Sequence, residues 1–177
     1  MKVILISDFD KCSDPQIINQ IFELGLDRFH IREYDKDDSL IMEFVNHIDT
    51  NFRNKLSFHG DGSKFGIASH GKVSSSISES CHSVDEVAKT NKDYVFLSPI
   101  FDSISKPGYK SDFDLQSIFR QIQNVNTEVY ALGGIDNANV KLLKGSSFQG
   151  VALKGAIWNK GDNPIYKFKE FINCLND

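Results

Sequence analysis

At 177 residues, 40% of them apolar, the chain is long enough to bury one sizeable core, and it reads as a single domain over residues 1–177 without a linker or low-complexity tract. A formal net charge of -4 gives no basic footprint for nucleic acid and no polybasic patch for a membrane surface, so a phosphate-bearing ligand must be captured by a local site. Cys12, Cys81 and Cys174 are an odd number without a CxxC pair, and the apolar start, Val3 to Ile6, is too short for a signal peptide; a reducing cytoplasm fits best.

In chain order, Val3 to Ser7 is the first predicted strand. Ser13-Asp14-Pro15 then supplies an N-cap and a first-turn proline for a helix carrying Ile17, Ile18, Ile21 and Phe22 on one face. Arg28 to Glu33 is the second strand, followed by a helix with Leu40, Phe44, Val45 and Ile48 at helical spacing. Leu56 to His59 is the third strand and Phe65 to Ala68 the fourth, with no room between them for a crossover helix. Val73 to Ser78 is the fifth, although rich in serine. Ser83 and Glu86 then have capping-box spacing before Val87 and Ala88. Tyr94 to Leu97 is the sixth strand, and a helix from about Phe113 carries Leu115, Ile118, Phe119 and Ile122. The seventh strand ends at Gly133-Gly134, and Asp136 caps a short helix holding Val140 and Leu143. Val151 to Leu153 is the eighth strand. A last helix starts at Asn163-Pro164 and buries Ile165, Phe168, Phe171, Ile172 and Leu175.

Uninterrupted apolar strands alternating with helices imply a parallel sheet covered on both faces. Eight of them imply an α/β fold, a compact (β/α)8 TIM barrel with one or two outer helices shortened or missing around strands three to five, which accounts for a length below the roughly 250 residues usual for that fold. In such barrels the ligand site lies at the C-terminal ends of the strands, and loops after the seventh and eighth cradle phosphate. Three segments end in ligand-facing clusters of this kind: Asp93 to Lys106, Val129 to Asp136 and Gly150 to Ile157.

Taken with Phe29 to Glu33 (FHIRE) and Ser80-Cys81-His82-Ser83, the segments DYVFLSPIFDSISK, ALGGI and GVALKGAI resemble, in order and spacing, the thiamine phosphate synthase / TenI family over most of the chain. The resemblance implies a role in thiamine biosynthesis. Synthases of the family are transferases that join a pyrimidine diphosphate to thiazole phosphate and release pyrophosphate, whereas TenI-like members are isomerases that tautomerise the thiazole. On the matching positions, Arg32 grips the diphosphate, Ser80 lies near the pyrimidine, Ser103 and Ser105 contact the thiazole, and Lys106 helps bind the departing pyrophosphate. Gly134, Lys154 and Gly155 fall where the family holds the thiazole phosphate. His30 and Tyr34, either side of Arg32, join the substrate-binding set, although a mid-strand histidine such as His30 can equally be an inward packing residue.

The chain departs from the family pattern at several positions. A lysine is replaced by Tyr34, and an Asn-Asp pair after strand three by His59-Gly60, with Asp61 one residue late. A metal-binding aspartate after strand four is replaced by Ser69-His70-Gly71, and Pro99 stands where TenI-like members carry a histidine. Mg²⁺, the family's metal, therefore has Asp61 as its one remaining candidate ligand, and no tightly bound cofactor is implied; His59 and His70 could join Asp61 in a metal set. His82 is a candidate general acid/base on the strength of its near-neutral pKa, against a plain role at the start of the next helix. The expected partner is a small phosphorylated substrate, thiazole phosphate, with neither nucleic acid nor membrane, and a homodimer stays open. Three functions follow: a synthase-like transferase with degraded metal ligands, a thiazole tautomerase, or a non-catalytic phosphate-ligand binding protein. An anion site is expected at the backbone N–H groups around Gly134 and Gly155, and Arg32 and Lys106 should share one cavity.

Overall fold

The computed structural model describes residues 1–102, 114–159, 161 and 163–177. Eight parallel strands close into a barrel in sequence order: β1 (Lys2–Ile6), β2 (Arg28–Ile31), β3 (Leu56–His59), β4 (Ala68–His70), β5 (Ser78–Cys81), β6 (Tyr94–Leu97), β7 (Glu128–Leu132) and β8 (Gly150–Leu153). β8 pairs back onto β1 through Val3–Val151 and Leu5–Leu153, so no edge is left open. Helices α1 (Pro15–Glu23), α2 (Asp38–His47), α3 (Val84–Lys89), α4 (Leu115–Ile122), α5 (Gly155–Trp158) and α6 (Pro164–Asn176) pack around it. Among the described residues no helix is long and apolar enough to cross a membrane.

Alternation along each strand divides the core in two. Val3, Leu5, Phe29, Ile31, Val95, Leu97, Val129 and Leu153 face outward into the layer beneath the helices, while Ile4, Ile6, Tyr94, Phe96, Tyr130 and Ala152 fill the barrel interior. The helices begin where the capping residues stand. Asp14 accepts from Gln16 N ahead of Pro15, Asn163 accepts from Ile165 N ahead of Pro164, and Ser83 accepts from Glu86 N while the Glu86 carboxylate accepts from His82 N. Full burial of Phe168 and Phe171 on α6 contributes roughly 2 to 3 kcal/mol each. The Trp158 indole donates to the Ile6 carbonyl at 2.6 Å and fixes α5 over the end of β1.

The expected erosion of helices is found between β3 and β5, but two strands there are displaced. β4 is Ala68–His70, not Phe65 to Ala68, because Gly62–Phe65 winds into a 3-10 turn that Asp61 caps through Ser63 N. β5 is Ser78–Cys81, not Val73 to Ser78. The serines upstream form a turn instead, with Ser76 Oγ donating to the carbonyls of Gly71 and Val73. On α2 the buried face is Ile41, Phe44 and Val45, and Leu40 is turned to solvent.

Candidate functional site

Arg28, His30 and Arg32 occupy alternate positions running up β2, Ser57 and His59 do the same on β3, and Ser78 and Ser80 on β5. The ladder sets His30 beside Ser57 and His59 beside His70, so His30 lies one level below a pair of histidines at the C-terminal ends of β3 and β4. All three histidines are buried. His30 Nδ1 faces His59 Nε2 at 3.1 Å, and His30 Nε2 meets the Tyr94 hydroxyl at 2.7 Å. His70 Nδ1 meets Ser78 Oγ at 2.8 Å and its Nε2 meets Ser80 Oγ at 3.1 Å; the Tyr34 hydroxyl stands 3.5 Å from His59 Nδ1. Arg28 donates to Ser57 Oγ at the foot of the same set and lies over the Tyr94 ring.

Burial penalises a charged imidazole, and these rings have cations rather than carboxylates beside them. Burial chiefly, then the neighbouring His70, Arg32 and Lys154, lowers the His59 pKa to about 2. Burial and Arg32 lower His70 to about 4, and His30 is held well below its ordinary value by burial and by His59 and His70. All three rings are neutral at pH 7. The 3.1 Å His30–His59 contact needs one N–H and one lone pair, which neutral rings supply. Such imidazoles are weak bases and cannot act as acids near neutrality. They remain good neutral ligands.

Arg32 projects past this cluster at the exposed end of β2, its guanidinium 5.8 Å from the centroid of the Tyr34 ring. Its sequence neighbour Glu33 is not its partner. The Glu33 carboxylate is buried and accepts from Ser7 Oγ at 2.6 Å and Phe9 N at 3.0 Å, while Ser7 Oγ in turn accepts from Arg32 N. Lys154, after β8, acts on His59 from another side. Neither Arg32 nor Lys154 is ion-paired with a carboxylate among the described residues.

Gly133 and Gly134 both have positive φ, 101° and 66°. The loop after β6 runs close enough that a Cβ on Gly134 would collide with the Asp102 carbonyl and stand 2.8 Å from Phe101 C, so the pair is demanded by packing whatever else it does. The β7–β8 register, Leu132 beside Ala152, brings this turn and the Lys154-Gly155 turn to one sector of the mouth. No described residue accepts the N–H of Gly134, Gly155 or Ala156.

The sequence-predicted residues are thus distributed as follows. Arg32, Tyr34, Ser80, Lys154 and the two glycine turns lie at the C-terminal end of the barrel, His30 lies inside it, and Ser103, Ser105 and Lys106 fall outside the described residues. His82 is exposed; its Nδ1 meets the Ser98 carbonyl at 3.0 Å and its backbone N–H serves the Glu86 cap, away from the buried histidines. Asp61 is exposed, and its Oδ1 accepts from both the backbone N–H and the hydroxyl of Ser63. The histidine group that could hold a metal is His30, His59 and His70, without Asp61. Mg²⁺ requires oxygen ligands in near-ideal octahedral geometry, and the ends of β3 and β4 present imidazole nitrogen instead, so the residues present do not fit it. Tyr94, Ser57 and Ser78 orient the cluster; polar residues recurring at alternate strand positions signal the two serines, whereas Tyr94 opens an apolar run that carries no such signal.

A family model, thiamine monophosphate synthase, matches residues 67–157. A thiamine-phosphate synthase of Caldivirga maquilingensis is 30% identical over 104 residues, 57% of this chain and 50% of the relative. Another from Prochlorococcus marinus is 22% identical over 160 residues, 83% of this chain and 45% of the relative. The chain therefore spans about half the length of these curated relatives. Among solved structures, a thiamine phosphate pyrophosphorylase from Bacteroides thetaiotaomicron superposes with a TM-score of 0.81 at 24% identity, covering 99% of this chain and 98% of that one, a likeness of fold.

Proposed function

The chain belongs to the thiamine monophosphate synthase family, and from that premise we propose that it serves thiamine biosynthesis by binding thiazole phosphate at the C-terminal mouth of its barrel. The observation that carries this reading is the pair of cations Arg32 and Lys154, which both act on His59 at the same mouth and neither of which is in an ion pair among the described residues, Lys154 acting on the Asp10 carboxylate only at longer range. A phosphate between them would gain charge-assisted hydrogen bonds, bidentate from Arg32, and the N–H groups of Gly134, Gly155 and Ala156, which no described residue accepts, would add neutral ones. Ser80 and the Tyr34 ring line the side toward β5 and β2, where the heterocycle would rest; by resemblance Ser103 and Ser105 would contact the thiazole and Lys106 would help bind pyrophosphate.

The reading is that of a synthase-like protein whose metal ligands are degraded, the transferase activity being secondary to ligand recognition. Among the described residues nothing at the mouth favours tautomerisation over it: the histidines there are weak bases, and His82 is engaged elsewhere. Titration calorimetry with synthetic thiazole phosphate tests the proposal. Binding should be tighter than for inorganic phosphate and should weaken about tenfold or more in each of Arg32→Ala and Lys154→Ala, the loss expected for one charged hydrogen-bond donor. Equal affinities for thiazole phosphate and phosphate, or variants that bind like the parent, would refute it.

A further inference from the structure

We infer that His30, His59 and His70 form a three-imidazole site for a borderline divalent transition metal of the Zn²⁺ or Co²⁺ type inside the mouth of the barrel. One ring nitrogen from each lies within 4.8 Å of the others, and all three residues are buried. They come from three consecutive strands of a closed parallel sheet, so the backbone fixes their spacing. A tetrahedral ion with metal–nitrogen bonds of about 2.0–2.1 Å holds its ligand nitrogens roughly 3.3 Å apart. His30 Nδ1 and His59 Nε2, at 3.1 Å, already have that separation. His70 needs to close by at most about 1.5 Å to reach the same spacing, a shift that brings its Nε2 off Ser80 Oγ while Nδ1 keeps Ser78.

Hydroxyls orient these rings from behind, as metal-bound imidazoles require. His30 Nε2 is held by the Tyr94 hydroxyl and His70 Nδ1 by Ser78 Oγ, and the Tyr34 hydroxyl stands behind His59 Nδ1. If His30 Nε2 carries the proton, Tyr94 accepts it and can donate onward to Ser57 Oγ, 3.4 Å away, which frees His30 Nδ1 for coordination. Three nitrogen ligands suit zinc, cobalt, nickel or copper and discriminate against magnesium. They also leave a fourth position open. Arg32 and Lys154 bring positive charge to the mouth side of His59, so an anionic oxygen is favoured there over a neutral ligand. The inference is independent of thiazole phosphate: the metal binds whether or not that ligand does.

The test uses the whole chain, stripped with a chelator and titrated with Co²⁺ and Zn²⁺ in a non-coordinating buffer without any phosphate ester. One equivalent of Co²⁺ should give the intense visible absorption of a tetrahedral nitrogen-rich site, and Zn²⁺ should displace it while Mg²⁺ in large excess should not. His59→Gln and His70→Gln, at the strand ends, should each weaken Zn²⁺ binding by more than about tenfold, the lower end of what even an outer-shell partner contributes. Tyr94→Phe should produce a smaller loss, and His47→Gln, on the outer face of α2, none. Circular dichroism identical to the parent establishes that the variants are folded; should one of the two strand-end variants not fold, the other decides. A weak octahedral Co²⁺ spectrum, binding below one equivalent, or unchanged affinity in a folded His59 or His70 variant would overturn the inference. Because phosphate ester is absent throughout, failure here leaves the thiazole phosphate reading standing, and failure of that reading leaves this one.

Discussion

Arg32 and Glu33 are neighbours in sequence and opposite in charge, which suggests an ion pair, yet successive side chains on a strand leave from opposite faces. Arg32 goes to the mouth, and Glu33 turns back to hold the loop after β1 through Ser7 Oγ and Phe9 N. Replacing it with alanine strands both donors in a buried place. Glu33→Ala should therefore cost about 2 to 3 kcal/mol in urea unfolding at unchanged m, whereas an exposed ion-pair partner would cost well under 1. Cys81 gives a pH-dependent prediction at the same scale. Burial, with Glu79 and Glu86 nearby, pushes its thiol from 9.0 up to about 11. Between those values the unfolded chain loses the Cys81 proton while the folded one keeps it, so the thiol's contribution to stability is complete below pH 9 and disappears as pH rises to about 11. In the native protein at pH 8, iodoacetamide should leave Cys81 unmodified by mass spectrometry and label it only after denaturant is added; rapid native labelling would contradict its burial.

At the level of elements, legibility followed the strength of local punctuation. Tyr94 to Leu97 is an apolar run closed by Ser98-Pro99, and Leu56 to His59, alternately apolar and polar, is closed by Gly60; the structure sets β6 and β3 at those bounds. Asp14-Pro15 and Asn163-Pro164 mark the starts of α1 and α6 because cap and proline specify the first turn chemically. β4 and β5 lie beyond the runs that local pattern picks out, for a physical reason. Phe65 looks like a strand residue, but its ring packs against Phe58 from a 3-10 turn, a tertiary contact that local pattern does not report. That turn replaces a crossover helix only because Gly62 lets it approach β4: a Cβ there would meet the Ala68 carbonyl and lie 2.7 Å from Ile67 O, and Gly62 N donates to Ser69 Oγ at 2.9 Å. Gly62→Ala should thus destabilise by about 1 to 3 kcal/mol. Each kcal/mol corresponds to a fall of roughly 3 °C in Tm for a chain of this size. A melting point unchanged from the parent would show that the turn has slack that the packing denies.

For the whole molecule, the barrel was readable from eight strand signals in sequence, but its interior was not. A strand covered on both faces does not alternate in apolarity, so which residues point inward is hidden except where polar ones recur at every second position, as Arg28, His30 and Arg32 do. Closure then brings together residues 29 to 64 positions apart, His30 with His59 and with Tyr94, and no local window contains that information. The consequence for chemistry can be measured. By family resemblance, coupling a pyrimidine diphosphate to thiazole phosphate requires a departing pyrophosphate to be stabilised, and removing one well-placed electrostatic donor costs about two to three powers of ten in rate. By the same resemblance Tyr34 stands for a lysine, His59-Gly60 for an Asn-Asp pair and Ser69-His70-Gly71 for the second aspartate position, while Asp61 Oδ1 accepts from Ser63. Lys154 restores positive charge at the phosphate end but cannot replace an oxygen-ligand clamp on the leaving group. With the pyrimidine diphosphate, thiazole phosphate and Mg²⁺ supplied, the purified protein should form product far more slowly than about 1 per second, the low end of ordinary turnover. Restoring the family residues together, as Tyr34→Lys with His59→Asn and Gly60→Asp, should raise that rate if the folded barrel tolerates them. Turnover by the parent at about 1 per second or faster would mean that the missing groups are supplied from elsewhere in the chain, and the degraded-ligand reading would fall.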